Sequence, residues 1–264
     1  AFEGAQITGG QRATPGAIER VRIDRSTLEP RFRVIGSEAW SDEPGFGESI
    51  PDIGVTGICG SGIIEVIAEM FLAGVIDADG TIVGANALRS ERVIENGRTF
   101  SYVLGDDPDA PLVITQNDVR AIQLAKAALR AGIDLLVEHA GSPEITDIRL
   151  AGAFGAHIDP VHAMVLGLVP DCPVDGVRSV GNAAGVGAVQ ALLSASARRE
   201  MEDTAEGVVR IEMATEPRFQ ELFVAAMAFP HGSAPSPHLA TVVELPEPAT
   251  TTNTPPRRRR RSRT

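Results

Sequence analysis

The sequence predicts an α/β fold, and three observations carry that reading. One unit recurs three times, a short strand or turn, then a glycine loop, then a helix start: Thr56–Gly62 (TGICGSG), Gly152–Gly155 (GAFG) and Gly181–Gly185 (GNAAG). Apolar and charged residues alternate over Ala17–Asp24 (AIERVRID), the period of a half-buried strand. Between Thr115 and Ala140 the apolar residues fall near helical spacing, which predicts one long helix. At 264 residues, with 43% hydrophobic and 22% charged, the chain is long enough to bury a sizeable core in one large domain or two small ones. Aromatics reach only 4%, so aliphatic and alanine packing must dominate.

Along the chain, residues 1–16 are glycine-rich and aperiodic and read as a loop entering the fold. Ala17–Asp24 and Phe32–Ile35 form a hairpin across a polar turn. Residues 41–55, with Pro44, Gly45, Gly47, Pro51 and Gly54, are turn-rich. The first glycine loop opens a helix over Ile63–Ala73, with Gly74 at its C′ position. Residues 80–113 read as short strands and turns. Thr115 and Asp118 make a capping box, with Asp replacing the usual Glu or Gln, and the helix runs to about Ala140. Its expected inner stripe is Val119, Ile122, Lys126, Leu129, Ile133, Leu136 and Val137, with Lys126 the lone polar member. Ile148–Ala151 is a strand, and Asp159 with Pro160 caps another helix. Val177–Val180 is a strand, and the third loop starts a helix reaching about Glu202. Val208–Met213 is expected as a strand and Pro217–Ala226 as the last helix. Residues 1–246 are thus the folded part, and Pro/Thr/Arg-rich residues 247–264 a disordered tail.

Composition excludes several classes. The net charge is −11, and without the six arginines past Pro256 residues 1–256 carry −17, a poor match to nucleic acid. The run Arg257–Arg261 is a weak exception that also fits a flexible solubilising tail. Cys59 and Cys172 stand far apart, with no disulfide framework and no zinc or iron–sulfur spacing. The longest apolar stretch, Ile63–Ile76, is interrupted by Glu65 and Glu69, so no membrane span is expected. The N-terminus has no signal peptide pattern, which suggests a cytoplasmic protein, and begins at Ala1 without methionine, as a processed chain or a fragment would.

Glycine lets a ligand approach the backbone and permits positive φ. A helix N-terminus presents unpaired N–H groups and a partial positive charge, which together suit phosphate. In the first loop Thr56, Gly57, Gly60, Ser61 and Gly62 are the candidate binding residues, with the Ser61 hydroxyl as a further donor. In the second, Gly152, Ala153, Phe154 and Gly155 offer a flat apolar edge suited to a base or ribose. In the third the candidates are Asn182 and Gly185. Each loop alone also fits an ordinary strand-to-helix turn. None matches the dinucleotide or P-loop fingerprints, and the only lysine, Lys126, lies inside a helix. His157 and His162 straddle Asp159 but read as surface or helix-cap residues, so no metal site is assigned. Asp52 in its Pro/Gly turn is a weak candidate for a magnesium-bound water, Trp40 reads as packing, and Asp106, Asp107 and Asp109 as a solvated turn.

Several strings are long enough to be specific: Ala1–Gln6 (AFEGAQ), Gln11–Ala13, Pro15–Val21 (PGAIERV), Gly54–Glu65 (GVTGICGSGIIE), Ile114–Lys126 (ITQNDVRAIQLAK), Leu150–Gly155 (LAGAFG), Gly181–Gly185 and Glu216–Gln220 (EPRFQ). Together they resemble the actin-like ATPase domain of the reductive activators of corrinoid proteins, over Ala1 to about Pro246. The resemblance implies a lobe of the acetate and sugar kinase, heat-shock protein and actin class, a mixed sheet flanked by helices. It implies ATP with Mg2+ as cofactor and a corrinoid protein of a methyltransferase system as partner, and it allows a homodimer. Such proteins use ATP to drive an electron from a plant-type [2Fe–2S] domain onto cob(II)alamin, regenerating cob(I)alamin. By the same analogy Thr56–Gly62 is the second phosphate loop, Leu150–Gly155 the adenosine loop, and Gly181–Gly185 a connecting segment at the lobe hinge.

The sequence also departs from the family pattern. The first phosphate loop of the class and the four cluster cysteines are not in this sequence, so only the latter part of the ATPase domain is expected here, inactive by itself, with no catalytic residue assigned. Alternatives are a related activator or small-molecule kinase of the same fold, or a docking domain in which nucleotide is structural.

Overall fold

The computed structural model describes Gly4, residues 6–51, 53–105, Asp107 and residues 111–246. Asp52, Asp106, Asp109 and the arginine tail lie outside the described residues. The alternating segment forms β1 (Ala17–Ile23), which pairs antiparallel with β2 (Pro30–Val34), as the hairpin reading requires. After one short turn of helix, α1 (Phe46–Ser49), strand β3 (Gly57–Ile58) runs parallel to β1 on its other side. Gly10 bridges Ile58, so the entering loop lies along the outer edge of β3.

Helix α2 (Gly60–Leu72) buries every residue from Ser61 to Leu72, and Gly74 at φ 69° supplies the left-handed residue that ends it. Two of those buried residues are glutamates. Among the described residues no strand pairs with β1 beyond Ile18 on the β3 side. There the Val21 amide donates to Glu65 Oε2 at 2.9 Å, and the Ile23 amide to Glu69 Oε2 at 3.0 Å. A buried amide left unpaired costs about 1–3 kcal/mol. The helix carboxylates thus satisfy a strand edge.

Residues 80–113 contribute β4 (Val93–Asn96) and most of an antiparallel meander with β5 (Thr99–Gly105) and β6 (Leu112–Thr115). The capping box is present at the start of α3 (Gln116–His139): the Thr115 hydroxyl accepts from the Asp118 amide, and the Asp118 carboxylate from the Thr115 amide at 2.7 Å. The inner stripe differs from expectation past Lys126. Ala127, Arg130, Ala131 and Leu135 are buried, whereas Leu129 and Leu136 are exposed. This face is met by the C-terminal segment, through Gln123 and Lys126, and by the Val169 carbonyl, which accepts from Arg130.

Strand β7 (Ile148–Ala151) leads through α4 (Gly152–Gly155) and α5 (Pro160–Leu166) to β8 (Val177–Gly181), which is parallel to β7. The single helix expected up to Glu202 is two, α6 (Ala183–Leu193) and α7 (Ala195–Glu206). Ser194 breaks it with extended backbone and caps α7 by accepting from the Ala197 amide. The strand expected over Val208–Met213 does not form: Val208 and Val209 are 70% and 83% exposed and meet no neighbouring strand. Alternation cannot make a strand without a partner edge. Helix α8 (Phe219–Ala225) then packs on α3. The architecture is mixed α/β, and among the described residues its strands are divided among three small sheets flanked by helices. Among the described residues no helix is long and apolar enough to cross a membrane.

Candidate functional site

The first glycine loop joins β3 to α2. Thr56 Oγ1 accepts from Gln11 Nε2 at 2.7 Å, and a Cβ on Gly57 would lie 2.5 Å from the Gly9 carbonyl. A Cβ on Gly62 would lie 2.3 Å from the Ile18 carbonyl, so that glycine is required by helix-on-strand packing. Ser61 is buried, with Oγ 3.4 Å from Cys59 Sγ. No side chain caps α2 and no acidic residue stands in its first turn. The Ile63 amide makes a helical bond to the Cys59 carbonyl, so the Gly60, Ser61 and Gly62 amides precede the ladder and point out of the helix end. This is an electropositive terminus free of competing carboxylate.

The second loop follows β7. Gly152 has φ 95°, and a Cβ there would meet nothing within 4 Å, so this glycine serves conformation and faces open space. Phe154 is half exposed, whereas Gly155 sits against the Leu150 backbone. In the third loop Asn182 Oδ1 accepts from the Gly185 amide at 2.9 Å, which makes the pair the N-cap of α6. Ala151 is opposite Gly181 in the parallel pair, so the second and third loops leave the same end of one sheet. The first loop belongs to another sheet, and among the described residues no hydrogen bond joins it directly to the other two.

What links the helix of the first loop to the turn after the second is a partly buried charge cluster. Arg20 Nη1 meets Glu65 Oε1 at 2.7 Å, and Arg22 Nη1 meets Glu65 Oε2 at 2.6 Å. The Arg20 guanidinium also donates to the His157 carbonyl at 3.1 Å, two residues past Gly155. His162 Nε2 lies 2.8 Å from Glu69 Oε1, and Nδ1 lies 2.9 Å from Asp159 Oδ1, a charge contact poorly aligned for a hydrogen bond. Asp159 caps α5 through the His162 amide, as the sequence suggested. Burial disfavours charging His162, but its two carboxylate neighbours outweigh burial and push its pKa up to about 9. Burial likewise opposes ionisation of Asp159, and the His162 contacts overcome it and hold that carboxyl well below its usual range.

The ligand atoms of Glu65, Asp159 and His162 lie within 4.8 Å of one another, close enough to share a cation. Here each is already engaged by an arginine or by the imidazolium, so the cluster is an ion-pair network. His162 is therefore neither a surface residue nor a simple cap. The sequence signal for this network was visible in the two glutamates inside an apolar run and in the arginines alternating along β1, but only as interruptions. Lys126 is fully buried, with Nζ bonded to the Ala228 and Pro230 carbonyls and not to any glycine loop. Trp40 does pack, with the Arg22 and Arg31 guanidinium groups 5.9 and 4.8 Å from its ring centre. A groove of 770 Å³ beside it, lined by Arg22, Arg31, Phe32, Phe46 and Arg92 among others, takes no residue from the glycine loops.

Residues 1–240 match the family described as the C-terminal domain of RACo, the ASKHA domain. The chain belongs to this family. A relative, the corrinoid activation enzyme RamQ of Eubacterium limosum, is 36% identical over 240 residues, covering 87% of this chain and 38% of that protein. A solved structure, of a reductive activator for corrinoid, iron–sulfur protein, superposes with a TM-score of 0.71 at 33% identity over 87% of this chain and 35% of that one. The chain thus spans little more than a third of the length of either relative. The RACo C-terminal domain match takes in every strand from β1 to β8 and all three glycine loops.

Proposed function

We propose that this chain forms the ATP-binding part of a reductive activator of corrinoid proteins. The observation that carries the reading is membership of the RACo C-terminal family, joined to an uncapped, acid-free N-terminus at the first glycine loop. In the whole protein, ATP would drive an electron from a [2Fe–2S] cluster onto cob(II)alamin, returning the corrinoid to cob(I)alamin. The cluster needs four thiolates, and two buried cysteines cannot supply them, so this chain does not hold it. The Gly60, Ser61 and Gly62 amides at the start of α2 receive phosphate, and Thr56 and Gly57 form the approach to that turn. Gly152, Ala153, Phe154 and Gly155 receive the adenosine on an open edge, and Asn182 with Gly185 forms the connecting segment beside it. Mg2+ arrives with the nucleotide, and because Glu65 and Asp159 are consumed in ion pairs no residue here is assigned to it. The partner is read as a corrinoid protein of a methyltransferase system, the place as the cytoplasm, and a homodimer is compatible with both.

The test is Gly60→Val and Gly152→Val, with labelled ATP in a filter-binding assay and circular dichroism as a check on folding. A branched side chain would occupy the backbone–ligand contact. Each variant is expected to lose about 2 kcal/mol of binding, the cost of leaving a charged acceptor unpaired. Unchanged affinity in a folded variant would sink the assignment of that loop.

A further inference from the structure

We propose that Arg20 and His162 are positioning residues that hold the first and second glycine loops at the separation one nucleotide requires. The proposal rests on the reading of both loops as nucleotide-binding. Its basis is that α2, which the first loop starts, and the turn that leaves the second loop meet in one partly buried ion network, although the loops belong to different sheets.

One side of the network is α2. Its N-terminus is the first loop, and Glu65 and Glu69 follow on one face, a turn apart. Both glutamates also accept β1 amides, so α2 cannot slide along β1 without breaking buried bonds. The other side is the segment leaving the second loop. The Ala156 amide donates to Gly152 O at 3.2 Å and the His157 amide to Phe154 O at 3.1 Å, so residues 152–157 move as one turn. Arg20 grips that turn at the His157 carbonyl while its guanidinium pairs with Glu65. Two residues on, Asp159 and His162 tie the start of α5 to Glu69.

Glu65, Glu69 and His162 are at most 9% exposed. Three acids, Glu65, Glu69 and Asp159, face three cations, Arg20, Arg22 and His162. A buried ion network is a poor source of stability, since apolar residues of similar volume often serve as well or better. What it supplies is fixed direction and distance between the elements it joins. Those elements carry the phosphate-side and adenosine-side loops.

The test is a double-mutant cycle on ATP affinity, measured by calorimetry, with Arg20→Lys, Gly60→Val and the double variant. Both bonds leave from Arg20 Nη1; lysine keeps the charge, but its side chain is one bond shorter, so its ammonium falls short of the point where one atom reaches both Glu65 and the His157 carbonyl. Arg20→Lys is expected to weaken ATP about tenfold, within the usual range of coupling between sites. In the Gly60→Val background, where the phosphate contact is already lost, the same change is expected to cost less than about twofold. His162→Gln, which keeps a donor toward Glu69 without the charge, is the second variant and should repeat the pattern. Equal losses in both backgrounds would mean general loosening and overturn the proposal, as would unchanged ATP affinity in folded Arg20→Lys and His162→Gln. If Gly60→Val and Gly152→Val leave ATP binding intact, the nucleotide reading fails first and takes the proposal with it.

Discussion

His162 stands between two carboxylates in a place where water cannot help to keep it charged. Its pKa rises from the ordinary 6.5 to about 9, so the protonated form belongs to the folded state. Linkage fixes the sign: the stabilisation is complete below 6.5 and is lost as pH rises through 9. Lys126 works the other way. Burial first, and then the neighbouring Arg130, bring it from 10.5 to about 7, so its contribution improves as pH rises across that window. The two effects overlap, and His162→Gln separates them. The stability of His162→Gln relative to the native chain should approach parity as pH climbs from 6.5 to 9, read from urea midpoints along that range. A constant difference would show that His162 contributes packing alone. The pairing of His162 was not legible in the sequence, where it is one of two histidines beside an N-cap aspartate. Its partner Glu69 comes from a helix 93 residues earlier, and only the fold brings the two together.

At the scale of elements, α3 shows both what patterns reveal and what they hide. Its capping box was readable because cap and partner are three residues apart, and its length followed from the apolar period. Its inner face was not, because the partner surface comes from the C-terminal segment. Gln123 donates to the Met227 carbonyl at 3.0 Å, Lys126 bonds the Ala228 and Pro230 carbonyls over the Phe229 ring, and Asp134 meets His231 at 3.5 Å. Successive polar residues of one face thus fasten residues 227–231 to the helix. Lys126→Met keeps the volume but strips two buried carbonyls of their donor. It should destabilise the chain by about 1–3 kcal/mol. Limited proteolysis should cut near residue 227 faster than in the native chain, and an unaltered urea midpoint would show that the lysine is dispensable. The segment Val208–Met213 failed for a related reason: strand propensity is realised only against a neighbouring edge.

At the scale of the molecule, fold class and family were legible because they rest on contiguous strings, above all the recurring strand, glycine loop and helix. The division into three sheets was not, since strand pairing is a long-range choice. Phosphoryl transfer needs a positioned metal, a positioned water and charge on the γ-phosphate at once. The only lysine is buried against backbone carbonyls, and Glu65 and Asp159 are held in ion pairs. The chain by itself should therefore bind adenine nucleotide and release no phosphate from Mg-ATP. Turnover at about 1 per second or faster, the ordinary enzyme range, would show a complete site within these residues. The glutamates of α2 have one more effect. Exposed strand edges recruit foreign strands and seed aggregates. Along β1 the amides that a stray strand would seek are already taken by Glu65 and Glu69, so an incoming chain would meet carboxylate oxygen inside a neutralised network. A stray strand therefore finds no free amide at Val21 or Ile23.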